Sequence, residues 1–304
     1  MLMKMKYIIS LFLFASITRI GNAQDNESAH RETDRVKRMT NIKMKDTSII
    51  DSSDIAVNEK EAISIINDES PFGIYKDTYL ITGMPLNKAI NSNTADAVFQ
   101  ISIRHRLTKN ILPFSTFLFL IYTQKSFWDI YRESAPFQDT NYNPGIGVGK
   151  YFGTKSRLTG GMLISIEHES NGRDKDDSRS WNYLSFKGKH FINRQLSVGL
   201  NLWIPYVSGS QNKDLIDYRG LGTFSLNAIS YNKRWWISGD FTPRNGWGNI
   251  NSIIGVAYKT SEKSNQYLFL CIKDGKGESL LQYSKYKINL RFGICIKPDF
   301  HSFL

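Results

Sequence analysis

A chain of 304 residues, 41% apolar and 22% charged, has the composition of an ordinary folded protein and the length for one large core or two smaller ones. Its formal net charge is +11, from 39 Lys and Arg against 28 Asp and Glu. No segment beyond the amino-terminal run approaches the roughly 18 uninterrupted apolar residues of a transmembrane helix, so helical spans are excluded and a β-barrel is the one spanning architecture left.

At the start of the chain, Lys4 and Lys6 precede an apolar run from Tyr7 to Ile17, and Gly21-Asn22-Ala23 supplies small residues before Gln24. This reads as a secretory signal peptide over residues 1–23. Its removal takes Lys4, Lys6 and Arg19 with it, leaving a basic exported chain whose natural counter-surface is anionic lipid headgroups rather than nucleic acid. Residues 24–72 are polar and mixed in charge, with few aromatics, and are expected to form a flexible lead with a short helix near Glu59 to Ile66. From residue 73 to 304 the texture changes to short alternating segments separated by turn residues.

The alternation predicts twelve strands, at about 77–84, 96–106, 114–124, 145–152, 160–170, 180–190, 195–206, 218–230, 234–242, 250–259, 266–273 and 287–297. In the seventh, Leu196, Val198, Leu200, Leu202 and Ile204 share one side against Gln195, Ser197, Gly199 and Asn201. In the twelfth, Ile288, Leu290, Phe292, Ile294 and Ile296 oppose Asn289, Arg291, Gly293 and Lys297. An apolar exterior over a polar interior, in segments of about ten residues, is the pattern of an all-β, twelve-stranded antiparallel transmembrane barrel. A soluble β-sandwich gives similar alternation, so connection lengths matter. Turns after even-numbered strands are mostly short and those after the third, seventh and eleventh are long, which is the parity of periplasmic turns and outer loops. With a periplasmic amino terminus, the fifth strand runs outward. Cys271 and Cys295 lie in the last two strands, and the pattern leaves open whether they face each other as a disulfide or remain separate thiols.

The chemistry-bearing stretch is Glu167-His168-Glu169-Ser170-Asn171-Gly172-Arg173, followed by Ser178-Arg179-Ser180-Trp181-Asn182. His168 and Ser170 are two apart, so they share a strand face with Met162, Ile164 and Ile166, while Asn182 shares one with Leu184 and Phe186. That apolar face would be the core of a soluble protein, but in a membrane barrel it meets lipid. A hydroxyl becomes a useful nucleophile when an imidazole takes its proton, and an amide can hold the ring in the productive tautomer, so Ser170, His168 and Asn182 read as a catalytic triad with a neutral third member. The Gly172 N–H is the candidate oxyanion donor. The Arg173 carbonyl and Ser178 oxygens suit a hard cation, Ca²⁺, in a loop made more negative by Asp174, Asp176 and Asp177. Gly145-Ile146-Gly147-Val148-Gly149 lacks a following helix and a phosphate-binding lysine, so it reads as strand rather than nucleotide loop.

Four motifs in order, His168-x-Ser170-Asn171-Gly172-Arg173, Ser178-Arg179-Ser180-Trp181-Asn182, Tyr122-Thr123-Gln124-Lys125-Ser126 and Ser134-x-Pro136-Phe137 with Thr140-Asn141-Tyr142, make the chain resemble the outer membrane phospholipase A family. The resemblance runs from about Asp77 onward and includes Gly275-Lys276-Gly277-Glu278-Ser279-Leu280. It implies a calcium-dependent phospholipase A1 and A2 of the bacterial outer membrane, acting on glycerophospholipids and lysophospholipids, active as a homodimer, with its site toward the outer leaflet. It further implies that Ser134 is a calcium ligand contributed across the dimer and that Gln124 is an interface residue embedded in the membrane. The competing readings are a non-enzymatic barrel, serving as a pore or a structural protein, and a soluble secreted esterase.

Overall fold

The computed structural model describes residues 70–108, 112–154, 157–207, 210–262 and 264–302. The expected signal peptide and nearly all of the expected polar lead lie outside the described residues. The strands, in chain order, are β1 (Phe72–Ile74), β2 (Thr78–Pro85), β3 (Asp96–Arg106), β4 (Phe117–Trp128), β5 (Phe137–Thr154), β6 (Arg157–Ser170) and β7 (Ser180–Phe191), then β8 (Leu196–Tyr206), β9 (Gly222–Ile229), β10 (Trp235–Pro243), β11 (Ile250–Lys259), β12 (Gln266–Gly275) and β13 (Lys287–Ile296). Consecutive strands from β2 onward pair antiparallel, and β13 pairs back with β2 through Leu290↔Met84 and Ile294↔Leu80, which closes the sheet.

The short β1 and β2 share one flank of β3, opposite His105 to Ile103 and Gln100 to Asp96 respectively, so together they act as one interrupted strand and the barrel has twelve. At the interruption, the Tyr75 N–H donates to the Ser102 carbonyl at 3.2 Å and the Lys76 N–H to Ser102 Oγ at 3.1 Å. The backbone therefore remains satisfied where the ladder steps.

Alternation sorts the walls as the sequence pattern requires. Leu200, Leu202 and Ile204 of β8 are exposed on the outside, the last at 63%, whereas Ser197 is fully buried. In β13, Phe292 and Ile294 point out and Asn289, Arg291 and Cys295 are buried within. The charges clustered around Arg291 inside the barrel are paired, as a region with little water demands. Arg291 makes a fork with Asp96 at 2.7 and 2.8 Å and donates to Glu278 Oε1 at 2.7 Å. Burial pushes the Glu278 carboxyl up, but the Arg291 and Lys125 charges beside it outweigh that and hold it well below the usual carboxylate range.

Two strand starts move markedly, and the pairing of the cysteines, which the sequence pattern left open, is resolved. β5 begins at Phe137 rather than 145, because Asp139, Asn141 and Asn143 are polar on one row and Gln138 and Thr140 on the other, with Tyr142 alone before Pro144, leaving no sustained hydropathy alternation to detect. β9 begins at Gly222, and Leu215–Arg219 before it is a short helix (α1) in the connection from β8. Cys271 and Cys295 are both buried on the inner side and free. Cys271 stands opposite Arg291, four positions from Cys295, a separation of about 13 Å along a strand that a disulfide cannot bridge.

Candidate active site

β6 and β7 carry the site. Their register sets His168 opposite Asn182 and Ser170 opposite Ser180. Along β6 the residues Leu163, Ser165, Glu167 and Glu169 are buried inside, while Ile164 and Ile166 are exposed outside, the latter at 64%. His168 and Ser170 continue that outer row, and Asn182 lies on the matching row of β7 between the inward-facing Trp181 and Tyr183. His168 Nδ1 and Asn182 Oδ1 are 2.8 Å apart. An amide oxygen only accepts, so Nδ1 carries the proton and the Nε2 lone pair is left to accept another.

The loop after β6 is built around Asn171. Its Nδ2 donates to the Asp177 carbonyl at 2.9 Å and its Oδ1 accepts from the Arg179 N–H at 3.0 Å, while the Asn171 N–H donates to the Arg179 carbonyl at 3.1 Å. One side chain thus ties the loop's two ends together. Gly172 has φ 66°, the left-handed region that glycine enters freely, and a Cβ there would approach the Tyr142 ring to 3.2 Å. The Arg173 guanidinium lies across the start of β5, donating to the Gln138 carbonyl at 2.6 Å and reaching Asp177 at 3.5 Å. Ser178 closes the 3₁₀ turn Lys175–Asp177 through its N–H to the Lys175 carbonyl. Ser134 is exposed, with φ 62°, in the neighbouring connection between β4 and β5. Among the described residues, no three His, Cys, Asp or Glu side chains converge as a metal site. Gln124 lies on the outward side of β4, where its Oε1 accepts from the Tyr122 hydroxyl at 3.0 Å.

The inner side of this wall, which sequence reasoning did not single out, is densely bonded. Glu169 accepts from Trp181 Nε1 at 2.9 Å and pairs with Arg219 of α1. Tyr183 donates to Glu167 Oε2 at 2.8 Å, and Asn143 Nδ2 lies 3.0 Å from both the Tyr183 hydroxyl and the His168 carbonyl. The available signal was charge on the inward alternation of β6, since buried carboxylates require partners.

The profile of the phospholipase A1 family matches residues 76–296. The chain belongs to the phospholipase A1 family. It is 30% identical over 274 residues to phospholipase A1 of Klebsiella pneumoniae, covering 82% of this chain and 93% of that one, and 29% identical over 250 residues to the Escherichia coli K12 enzyme, covering 76% and 84%. Outer membrane phospholipase A from Escherichia coli shares the fold, with a TM-score of 0.67 at 24% identity, over 75% of this chain and 99% of that one. The Salmonella typhi outer membrane phospholipase, a dimer with bound calcium, matches with a TM-score of 0.67 at 25% identity, over 78% and 98%. This family member is accordingly a twelve-stranded outer-membrane barrel and a phospholipid ester hydrolase.

Proposed function

We propose that the enzyme cleaves acyl esters of glycerophospholipids and lysophospholipids, at either acyl position, with Ser170, His168 and Asn182 on the lipid-facing wall. The hydrogen bond between His168 and Asn182 at 2.8 Å, on the outward face of β6 and β7 beside Ser170, carries this reading. Ser170 Oγ attacks the ester carbonyl carbon as His168 Nε2 takes its proton. The tetrahedral oxyanion is held by the N–H of Gly172, which sits in the left-handed turn directly after Asn171. Collapse expels the glycerol oxygen, to which His168 returns the proton, and a water activated by the same imidazole then releases the fatty acid and regenerates Ser170. Asn182 holds the ring in the tautomer that both steps need. The site lies at the barrel end bearing the longer connections, residues 171–179, 207–221 and 276–286, which supports an outer-leaflet placement.

The donors available for a metal are the Arg173 carbonyl and the Ser178 hydroxyl, with Ser134 of a second copy, all neutral oxygens. Hard, uncharged donors completed by water fit Ca²⁺ better than a transition metal, and the acidic Asp174, Asp176 and Asp177 raise the local cation concentration. When bound there, Ca²⁺ supplies positive charge next to the developing oxyanion. Dimerisation is supported by the outward row on β4 and β5. Gln124, Ser126 and Thr140 form a polar chain, with the Thr140 hydroxyl donating to Ser126 Oγ at 3.1 Å, beside the exposed Leu120 and Ile146. A second copy would meet Gln124 with an amide of its own in lipid, where a hydrogen bond has no water to compete with it.

Fatty-acid release from a defined phospholipid by detergent-solubilised protein, with and without Ca²⁺, tests this. Calcium-stimulated release is expected, and a folded barrel inert under both conditions would refute it.

A further inference from the structure

From Tyr142 to Phe152 the ladder between β5 and β6 keeps one register, with Tyr142 opposite Ser170 and Gly145 opposite Glu167, so Pro144 falls opposite His168. In an antiparallel pair the two residues of a hydrogen-bonded position exchange N–H and C=O bonds. Proline has no N–H to give. Asn143 Nδ2 fills the gap, lying 3.0 Å from the His168 carbonyl. The contact shows that this carbonyl points toward β5, so the donor missing from Pro144 is the one it would otherwise receive. Asn143 is itself buried and fixed from within by the Tyr183 hydroxyl, which in turn donates to Glu167, and Glu167 also accepts from Ser165 at 2.9 Å.

We propose that Asn143 is a positioning residue for the hydrolysis, replacing the backbone donor absent at Pro144 and thereby fixing the β6 backbone at the point where His168 must aim its ring at Ser170. The proposal rests on the catalytic reading of His168 and Ser170. Asn143 touches neither substrate nor the reacting atoms. It acts from the interior on the strand whose outer face does the chemistry, and small displacements of a catalytic group cost rate far more than they cost binding.

A rescue experiment separates this role from a general contribution to barrel stability. Asn143→Ala should lower kcat about thirtyfold with KM changed less than twofold. Pro144→Ala, which introduces a backbone N–H at the required place, should return the Asn143→Ala protein to within about threefold of Pro144→Ala alone. Asn143→Asp keeps the size and loses the donor, and serves if the alanine variant assembles poorly. Rates are expressed per folded barrel, counted by heat-modifiable migration in gels. An Asn143 variant with kcat within twofold of the parent, or a loss that Pro144→Ala does not relieve, overturns the proposal. Ser170→Ala run alongside distinguishes the two levels: an active Ser170→Ala refutes the catalytic reading itself, whereas an inert Ser170→Ala beside an unimpaired Asn143→Ala removes only the positioning role.

Discussion

The two faces of the β6–β7 wall make opposite use of polar groups. Outside, His168, Ser170 and Asn182 follow Ile164, Ile166, Leu184 and Phe186 along rows that face hydrocarbon. Inside, Glu167, Glu169, Trp181, Tyr183 and Asn143 bond to one another and to Arg219. In the proposed mechanism the reactive groups sit on the side where substrate arrives and water is scarce, and the bonds that hold their backbone come from the opposite side. A barrel wall one strand thick allows this division because successive residues on one strand serve both faces.

The largest effect expected on the outer face is that of Ser170→Ala, which should lower acyl release by about a thousandfold or more while the barrel still assembles, as read by fatty-acid release and gel migration. Chelation of Ca²⁺ should suppress turnover about a hundredfold and re-addition restore it. Asymmetry between the faces can be read as stability: Leu202→Arg, mid-strand on the exterior, should cost about 2–4 kcal/mol in a bilayer unfolding titration, and Asn201→Ser on the adjacent inner position much less. Asn182→Ala should reduce kcat by about ten- to a hundredfold, less than loss of the nucleophile, because the ring loses orientation but keeps its base.

The smallest effect belongs to the interior. The Glu278 carboxyl is held below its ordinary value near 4.5, so the stability it adds is fully present above that value and is lost only as pH falls through the lower folded one. The difference in urea midpoint between the parent and Glu278→Gln should therefore be constant from about pH 7 to 5 and shrink at more acid pH.

The outer face was legible in the sequence because lipid enforces a two-residue hydropathy period, and the polar residues His168, Ser170 and Asn182 interrupt it conspicuously. β8 and β13 were readable for the same reason. The inner face was not, because polar residues facing a polar lumen carry no contrast. The first eight residues of β5, with Asp139, Asn141 and Asn143 turned inward and Pro144 among them, therefore looked like loop. The pairing of Glu169 with Arg219 joins residues fifty apart through a connection whose path only the fold supplies. The inability of Cys271 and Cys295 to pair likewise follows from register rather than from composition.

Covalent trapping tests the lipid-facing site most directly. A long-chain alkyl fluorophosphonate, added to protein reconstituted in phospholipid vesicles with Ca²⁺, should modify one residue, Ser170, as located by peptide mass, and the adduct should be lost in His168→Ala. Unmodified Ser170 under conditions where the protein still releases fatty acid, or modification of a different serine, would contradict the account.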